Sequence, residues 1–154
     1  MRLTNRFIGA LIGSVIYFSL NVIAQQKTAD AERSLFDAVN QERKAHGLNA
    51  LQTDEALANA ARKHAQRMAE QRTISHQLQG EPNLLSRARA AGVHFSWLSE
   101  NVDEGPNVRA IHQSFMKSAL HRANILDKDM DSAGIGVVEH SGQLFAVEDF
   151  SKAK

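Results

Sequence analysis

The chain of 154 residues contains no cysteine, which removes disulfide frameworks, thiolate metal sites, thiol nucleophiles and a lipid-modified amino-terminal cysteine together. Only two prolines, one tryptophan and one tyrosine occur, and no low-complexity tract or internal repeat interrupts the sequence. Neither charge sign dominates: 18 lysines and arginines stand against 17 aspartates and glutamates. Without a basic block there is no electrostatic footprint for a phosphate backbone, so nucleic acid is excluded as a partner. The catalytic strings H-E-x-x-H and G-x-S-x-G, the phosphate-binding glycine loop and the dinucleotide fingerprint are all absent, and no organic cofactor is expected. What remains, 43% hydrophobic and 23% charged, has the make-up of an ordinary globular domain.

The first 24 residues stand apart. Arg2 and Arg6 precede an apolar run from Phe7 to Ala24, and Val22-Ile23-Ala24 before Gln25 suits an export peptidase. We read residues 1–24 as a cleavable signal peptide, which makes the protein secreted or periplasmic. The rival reading is an uncleaved amino-terminal anchor, which is also the one way this chain would meet a membrane. Cleavage leaves about 130 residues, enough for one core. Its balance is then sixteen basic to seventeen acidic side chains. An exported domain without bridges points to a bacterial source.

Beyond the leader, residues 25–33 read as a short polar linker and the start of a first helix, carried by Ala31, Leu35 and Val39 and stopped by Gly47. Thr53 or Asp54 caps a second helix with Leu57, Ala61, His64, Ala65 and Met68 on one face. A third runs from Pro82 to Ala91 with Leu84, Leu85 and Ala88 inward, and Gly92 closes it. Period two then sets Phe95 and Trp97 against Leu98, Glu100 and Val102, which predicts a strand ending at Gly105-Pro106. Pro106 opens a fourth helix through Ile111 and Phe115 to about His121. Gly134 to Val138 and Gln143 to Val147, joined across His140-Ser141-Gly142, predict a β-hairpin. Helices first and strands last give an α+β layout.

Seven histidines are the chemical excess, since imidazole serves both proton transfer near neutrality and divalent metals. His64 lies on an apolar helix face and reads as a hydrogen-bonded core residue. His46 and His140 flank turns, His94 lacks partners, and His112 sits at a helix edge. Asp127-x-Asp129-x-Asp131 imitates a calcium loop but has Ser132 and Val138 where that loop needs Gly and Glu. Three strings remain: Ile74-Ser75-His76, Ser99-Glu100-Asn101-Val102 and Met116 to Leu126. Two histidines and a carboxylate brought together from them would hold a metal, or let the acid orient one imidazole. Against this, His121 reads equally as a helix-end residue and Glu100 as a strand residue paired with Arg122.

Order and context add a second argument. Val39-Asn40-x-Glu42-Arg43, Gly47-x-x-x-Leu51-x-x-Asp54-x-x-Leu57, Ala60-x-x-x-His64-Ala65-x-x-Met68, Ser75-His76, Glu100-Asn101-Val102, Met116-x-Ser118-x-x-His121-Arg122-x-Asn124-Ile125-Leu126 and Gly134-Ile135-Gly136-Val137 occur in sequence. On these blocks the chain resembles the CAP superfamily (cysteine-rich secretory proteins, antigen 5 and pathogenesis-related proteins), in its cysteine-free bacterial SCP-like branch, over residues 34–150. The resemblance implies an α-β-α sandwich with a small antiparallel sheet between helical layers. It implies a cleft whose two histidines fall on His76 and His121, the residues expected to hold a divalent metal. The first acid falls on Glu100, and the second is replaced by Ser118. Phe115 stands for the usual tryptophan, and Ala119-Leu120 for a frequent Pro-Gly. His64 and Asn124 match structural positions. The implied function is a binding module for a lipid, a cell-envelope component or a protein partner, with weakly and reversibly held zinc. The alternative is a metal-dependent hydrolase using His76, Glu100 and His121, or a serine variant with Ser118 as nucleophile and His121 as base.

Overall fold

The computed structural model describes the backbone from Ile8 and side chains from Gln25. The first seven residues and the side chains of the expected leader lie outside the described residues, and so does the leader reading itself. The first helix, α1, spans Ile8–Ala45, so the expected polar linker at residues 25–29 is helical instead. Glutamine, lysine and alanine are good helix formers, nothing there breaks the backbone, and Gln26 bonds Asp30 one turn on at 3.0 Å. Gly47, with φ +72°, supplies the left-handed residue that closes it.

Strand β1 is only Gln52–Thr53, too short for a hydrophobic period to announce it. Helix α2 spans Glu55–Gln71, and its cap is Asp54, whose side chain accepts from Leu57 N. Such a cap contributes about 1 kcal/mol. Helix α3, Leu84–Ala90, starts later than expected because Asn83, and not Pro82, caps it. Its inward residues are Arg87 and Ala88, whereas Leu85 is 44% exposed, a correction to its expected burial. Strand β2 spans Phe95–Gly105, with Leu98, Glu100 and Val102 buried and Trp97 exposed. Helix α4, Val108–Lys117, is capped by Asn107, which leaves Pro106 outside it. It does not continue to His121: Ser118 turns the chain and caps a separate helix α5, Ala119–Ile125. Strands β3, Ser132–His140, and β4, Gln143–Ala153, form the hairpin. Ser141 and Gly142 both have positive φ, as a two-residue turn of this hand requires.

The sheet runs in the order β1-β3-β4-β2, antiparallel except where β1 pairs β3. Helices α1, α4 and α5 cover one face over Leu35, Val39, Ile111, Phe115, Ile135 and Phe150. Helices α2 and α3 cover the other, over two further clusters that include Met68, Val102 and Leu98. The result is the α-β-α sandwich.

One contact fixes the α2 layer. A side chain at Gly134 would place its Cβ 2.2 Å from Ala58 N, and one at Gly136 would lie 2.3 Å from Ala61 C and Arg62 N. The helix backbone therefore rests directly on β3, with only Ala58 and Ala61 between. Gly134→Ala and Gly136→Ala are expected to cost at least about 3 kcal/mol each, since the obstacle is backbone that cannot move aside. Gly142→Ala, with no neighbour but a φ of +80°, should cost only about 1 kcal/mol. Urea unfolding of the three variants checks the ranking.

Candidate functional site

The site is assembled at the β2 edge of the sheet. Glu100 points from β2 into the α2 and α3 layer, and His76 arrives on the loop after α2. His76 Nδ1 lies 2.9 Å from Glu100 Oε1 and donates to it. The other carboxylate oxygen of Glu100 is held by the Arg87 guanidinium. The same arginine donates to His76 O at 3.0 Å and Pro82 O at 3.3 Å, so α3 secures both the acid and the loop. The expected pairing of Glu100 with Arg122 does not form; Arg87 occupies that role from the buried side. With a side chain only 3% exposed and both oxygens engaged, Glu100 is a buried anchor. Its hydrogen bond raises the His76 pKa above the ordinary value, against the opposing effect of burial.

The loop itself is fixed by α2. His64, fully buried, donates through Nε2 to Ser75 O at 2.8 Å, and its Nδ1 lies 2.9 Å from Glu81 Oε2. The core reading of His64 holds, and its effect reaches the site because Ser75 precedes His76.

His121 comes from α5 on the opposite layer. Asn101 Nδ2 donates to His121 O at 3.1 Å, and Asn124 Nδ2 donates to Asn101 Oδ1 at 2.8 Å and Glu100 O at 3.3 Å. The imidazole meets Phe115 edge-on, centroids 5.2 Å apart, and its Nδ1 is buried with no hydrogen-bond partner among the described residues. Burial lowers its pKa first; Asp103 opposes this, and the charge of His76 lowers it further. His121 thus lies within electrostatic reach of both Asp103 and His76, although it forms no hydrogen bond with His76 or Glu100. Ser118 Oγ accepts from His121 N at 3.4 Å as the α5 cap. It stands beside His121 in the chain's turn, and no imidazole bonds its hydroxyl.

Two functional neighbours escaped the sequence reading. Glu148 and Asp149 are both fully buried in β4. Glu148 receives Asn101 Nδ2 at 3.0 Å, yet burial pushes its pKa up to about 8. Asp149, on the opposite face beside Glu100, is likewise raised well above the carboxylate range by burial and then by the Glu100 charge. Their signal was there to read: two consecutive acids inside Phe145-Ala146-Val147 and Phe150, a run otherwise wholly apolar.

The donor set is too small to hold a metal tightly. His76 and His121 offer two imidazoles, Glu100 is spent on His76 and Arg87, and no group of three His, Asp or Glu side chains among the described residues is placed to share an ion. The His76–Glu100 bond does leave Nε2 of His76 free and fixes its tautomer, as a carboxylate behind a ligating histidine does.

These features coincide with a known class. Residues 36–150 match the model of the Cysteine-rich secretory protein family, CAP, and the chain belongs to that family. Among curated relatives, the protein YkwD of Bacillus subtilis is 29% identical over 122 residues, covering 79% of this chain and 47% of its own. The B. subtilis membrane protein YlbC is 30% identical over 111 residues, covering 70% and 31%. The chain therefore spans about half the length, or less, of these relatives. An extracellular SCP-domain protein from Bacillus anthracis superposes with a TM-score of 0.78 at 25% identity, over 84% of this chain and 42% of that one. An outer surface protein from Borrelia burgdorferi gives a TM-score of 0.76 at 24% identity, over 82% and 96%, and shows the shared fold. No helix among the described residues is long and apolar enough to cross a membrane.

Proton titrations should separate the two histidines: by NMR, His76 titrates above the ordinary value of about 6.5 and His121 below it, and Glu100→Gln removes the elevation at His76. A carboxyl raised in the folded state stabilises it below the ordinary carboxylate range and ceases to as pH rises through the folded value. Stability should accordingly fall as pH climbs towards about 8, the Glu148 value, and Glu148→Gln should flatten that fall in urea midpoints measured across pH.

Proposed function

We propose that the protein is an exported binding module whose ligand enters between His76 and His121, and that it is not a hydrolase. The observation that carries this reading is the Glu100 carboxylate, which is buried with both oxygens engaged. A general base must reach substrate or water, and a metal ligand must reach the ion; Glu100, its side chain 3% exposed and held by His76 and Arg87, does neither. Ser118, tied up as a helix cap, lacks the adjacent base that would activate a nucleophile. The cleft instead offers one imidazole with an elevated pKa, one with a lowered pKa, and exposed apolar side chains nearby on the same elements, Leu120 at 80% and Trp97 at 62% exposure. Such a mixture of polar tips and uncovered apolar surface suits a lipid, a cell-envelope component or a partner chain.

Export rests on the leader, with cleavage after Ala24, and on the extracellular and outer-surface descriptions of two structural neighbours. Native mass spectrometry of the protein recovered from an exporting host tests the binding reading. A retained ligand mass, diminished in His76→Ala and in His121→Ala, is expected. Turnover of ester or peptide substrates abolished by Glu100→Gln would overturn it.

Zinc taken from solution would have His76 Nε2 and His121 as its protein donors, with water completing the shell, so its binding should be weak and dispensable for folding. Affinity should fall as pH drops through the histidine range, because only neutral imidazole coordinates. Calorimetry is expected to show most binding lost in either histidine variant, and strengthened in Ser118→Glu if that position faces the ion; unchanged affinity in both His76→Ala and His121→Ala would eliminate the metal.

A further inference from the structure

A second recess lies on the opposite edge of the sheet, between α1, β1 and α2. It measures about 250 Å³, and Phe36, Ala58, Ile135, Arg33, Arg62 and Glu32 are among its lining residues. Its wall is an interrupted strand edge. Strand β1 hydrogen-bonds to β3 only at the start, where Gln52 N donates to Asp131 O and Asp54 N to Ala133 O, both at 3.0 Å. Further along, the Glu32 carboxylate reaches over and accepts from Val137 N at 3.2 Å. Along a strand, alternate residues present their N–H and C=O to the same side. Ala133 and Val137 face this edge, and so therefore does Ile135. Neither β1 nor Glu32 reaches it, which leaves its backbone N–H and C=O without a partner across this edge among the described residues; the residue lies in the wall of the recess and is 4% exposed in all.

The charges around that edge are unequal in availability. Arg62 is committed, 2.9 Å from Glu32 and 3.7 Å from Glu55. Arg33 is exposed and makes no hydrogen bond or ion pair among the described residues. A ligand that fits brings an amide for the Ile135 backbone, a carboxylate for Arg33 and a small apolar side chain for Phe36 and Ala58. We propose that this recess binds the carboxyl-terminal residues of a peptide in extended form. The gap between the Ala133 and Val137 contacts is four residues, about 13 Å at a strand's rise, so two or three peptide residues fill it. Backbone pairing at a sheet edge supplies orientation, and the guanidinium selects a chain end over an internal segment. This site shares no residue with the cleft at His76 and His121 and stands independently of it.

The probe is acetyl-Ala-Ala-Val with a free carboxylate, titrated into the protein and followed by amide NMR. Shifts centred on Thr53, Ile135 and Phe36 are expected, with no comparable change at His76 or His121. The carboxamide form of the peptide, and the free acid offered to Arg33→Gln, should each bind about tenfold more weakly or worse. A peptide N-methylated at each amide should fail to bind, since it has no donor for the strand edge. Equal affinity for acid and carboxamide, unchanged binding by Arg33→Gln, or shifts confined to the histidine cleft would overturn the proposal. So would an absence of any shift at peptide concentrations of about 10 mM, the weak limit for a site with this few contacts.

Discussion

Everything in the molecule is indexed to the absence of two side chains. Because Gly134 and Gly136 carry no Cβ, α2 lies with its backbone against β3, closer than any ordinary helix and sheet pair. That approach sets the depth of the helix, and depth sets where its side chains end. His64, one turn beyond Ala61, reaches Ser75 O and Glu81 at once. A helix lifted outward by a methyl group would draw the imidazole off that carbonyl and loosen the loop that carries His76. The precision of the cleft is thus inherited from a packing contact on the far side of the loop, with hydrogen bonds serving only to transmit it.

Beneath the cleft the protein carries more acid than base. Arg87 is the cation for Glu100 and also lies 3.9 Å from Glu81. Glu148 and Asp149 face opposite layers on successive positions of β4, where neither meets a second buried cation. Burying an unpaired ionised carboxylate costs more than protonating it, so the raised pKa values are the chain's way of keeping these acids uncharged. The outcome is an arrangement in which Glu100 is paired with Arg87 and His76, while burial favours the uncharged forms of Glu148 and Asp149. It leaves Glu100 free to fix the His76 tautomer and holds it back from the cleft surface.

Helices with long apolar faces were legible, because α2 states its period through Leu57, Ala61, His64, Ala65 and Met68, and Asp54 announces its cap. Strand β2 was legible through period two. What was not legible is whatever depends on another element: β1 exists only because β3 offers it a partner, and α4 and α5 separate only because Ser118 leaves helical geometry to cap the second. Leu85 looked inward by spacing, yet Arg87 took the interior because Glu100 waits there. Likewise His76, Glu100 and His121 were found as a set through motif order and not through spacing, since 45 residues separate the histidines. The relation among them, a direct bond for one pair and only electrostatic reach for the other, is written in the fold.

The two ends of the sheet solve the same problem with different residues. An open strand edge is a hazard, and here each is interrupted by a side chain that mimics a partner strand: Asn124 against Glu100 O on β2, Glu32 against Val137 N on β3. A side chain can satisfy one or two backbone groups, whereas a strand satisfies a row. The substitution is therefore incomplete wherever it is used. On β2 the helix that brings Asn124 also brings His121 to the margin of the gap, and the loop on the other layer brings His76. On β3 the shortfall is Ile135 and a recess lined by α1 and α2. Places where this fold can meet other molecules arise at the sheet's two edges for one reason: the helical layers cover most of its faces and its edges only point by point.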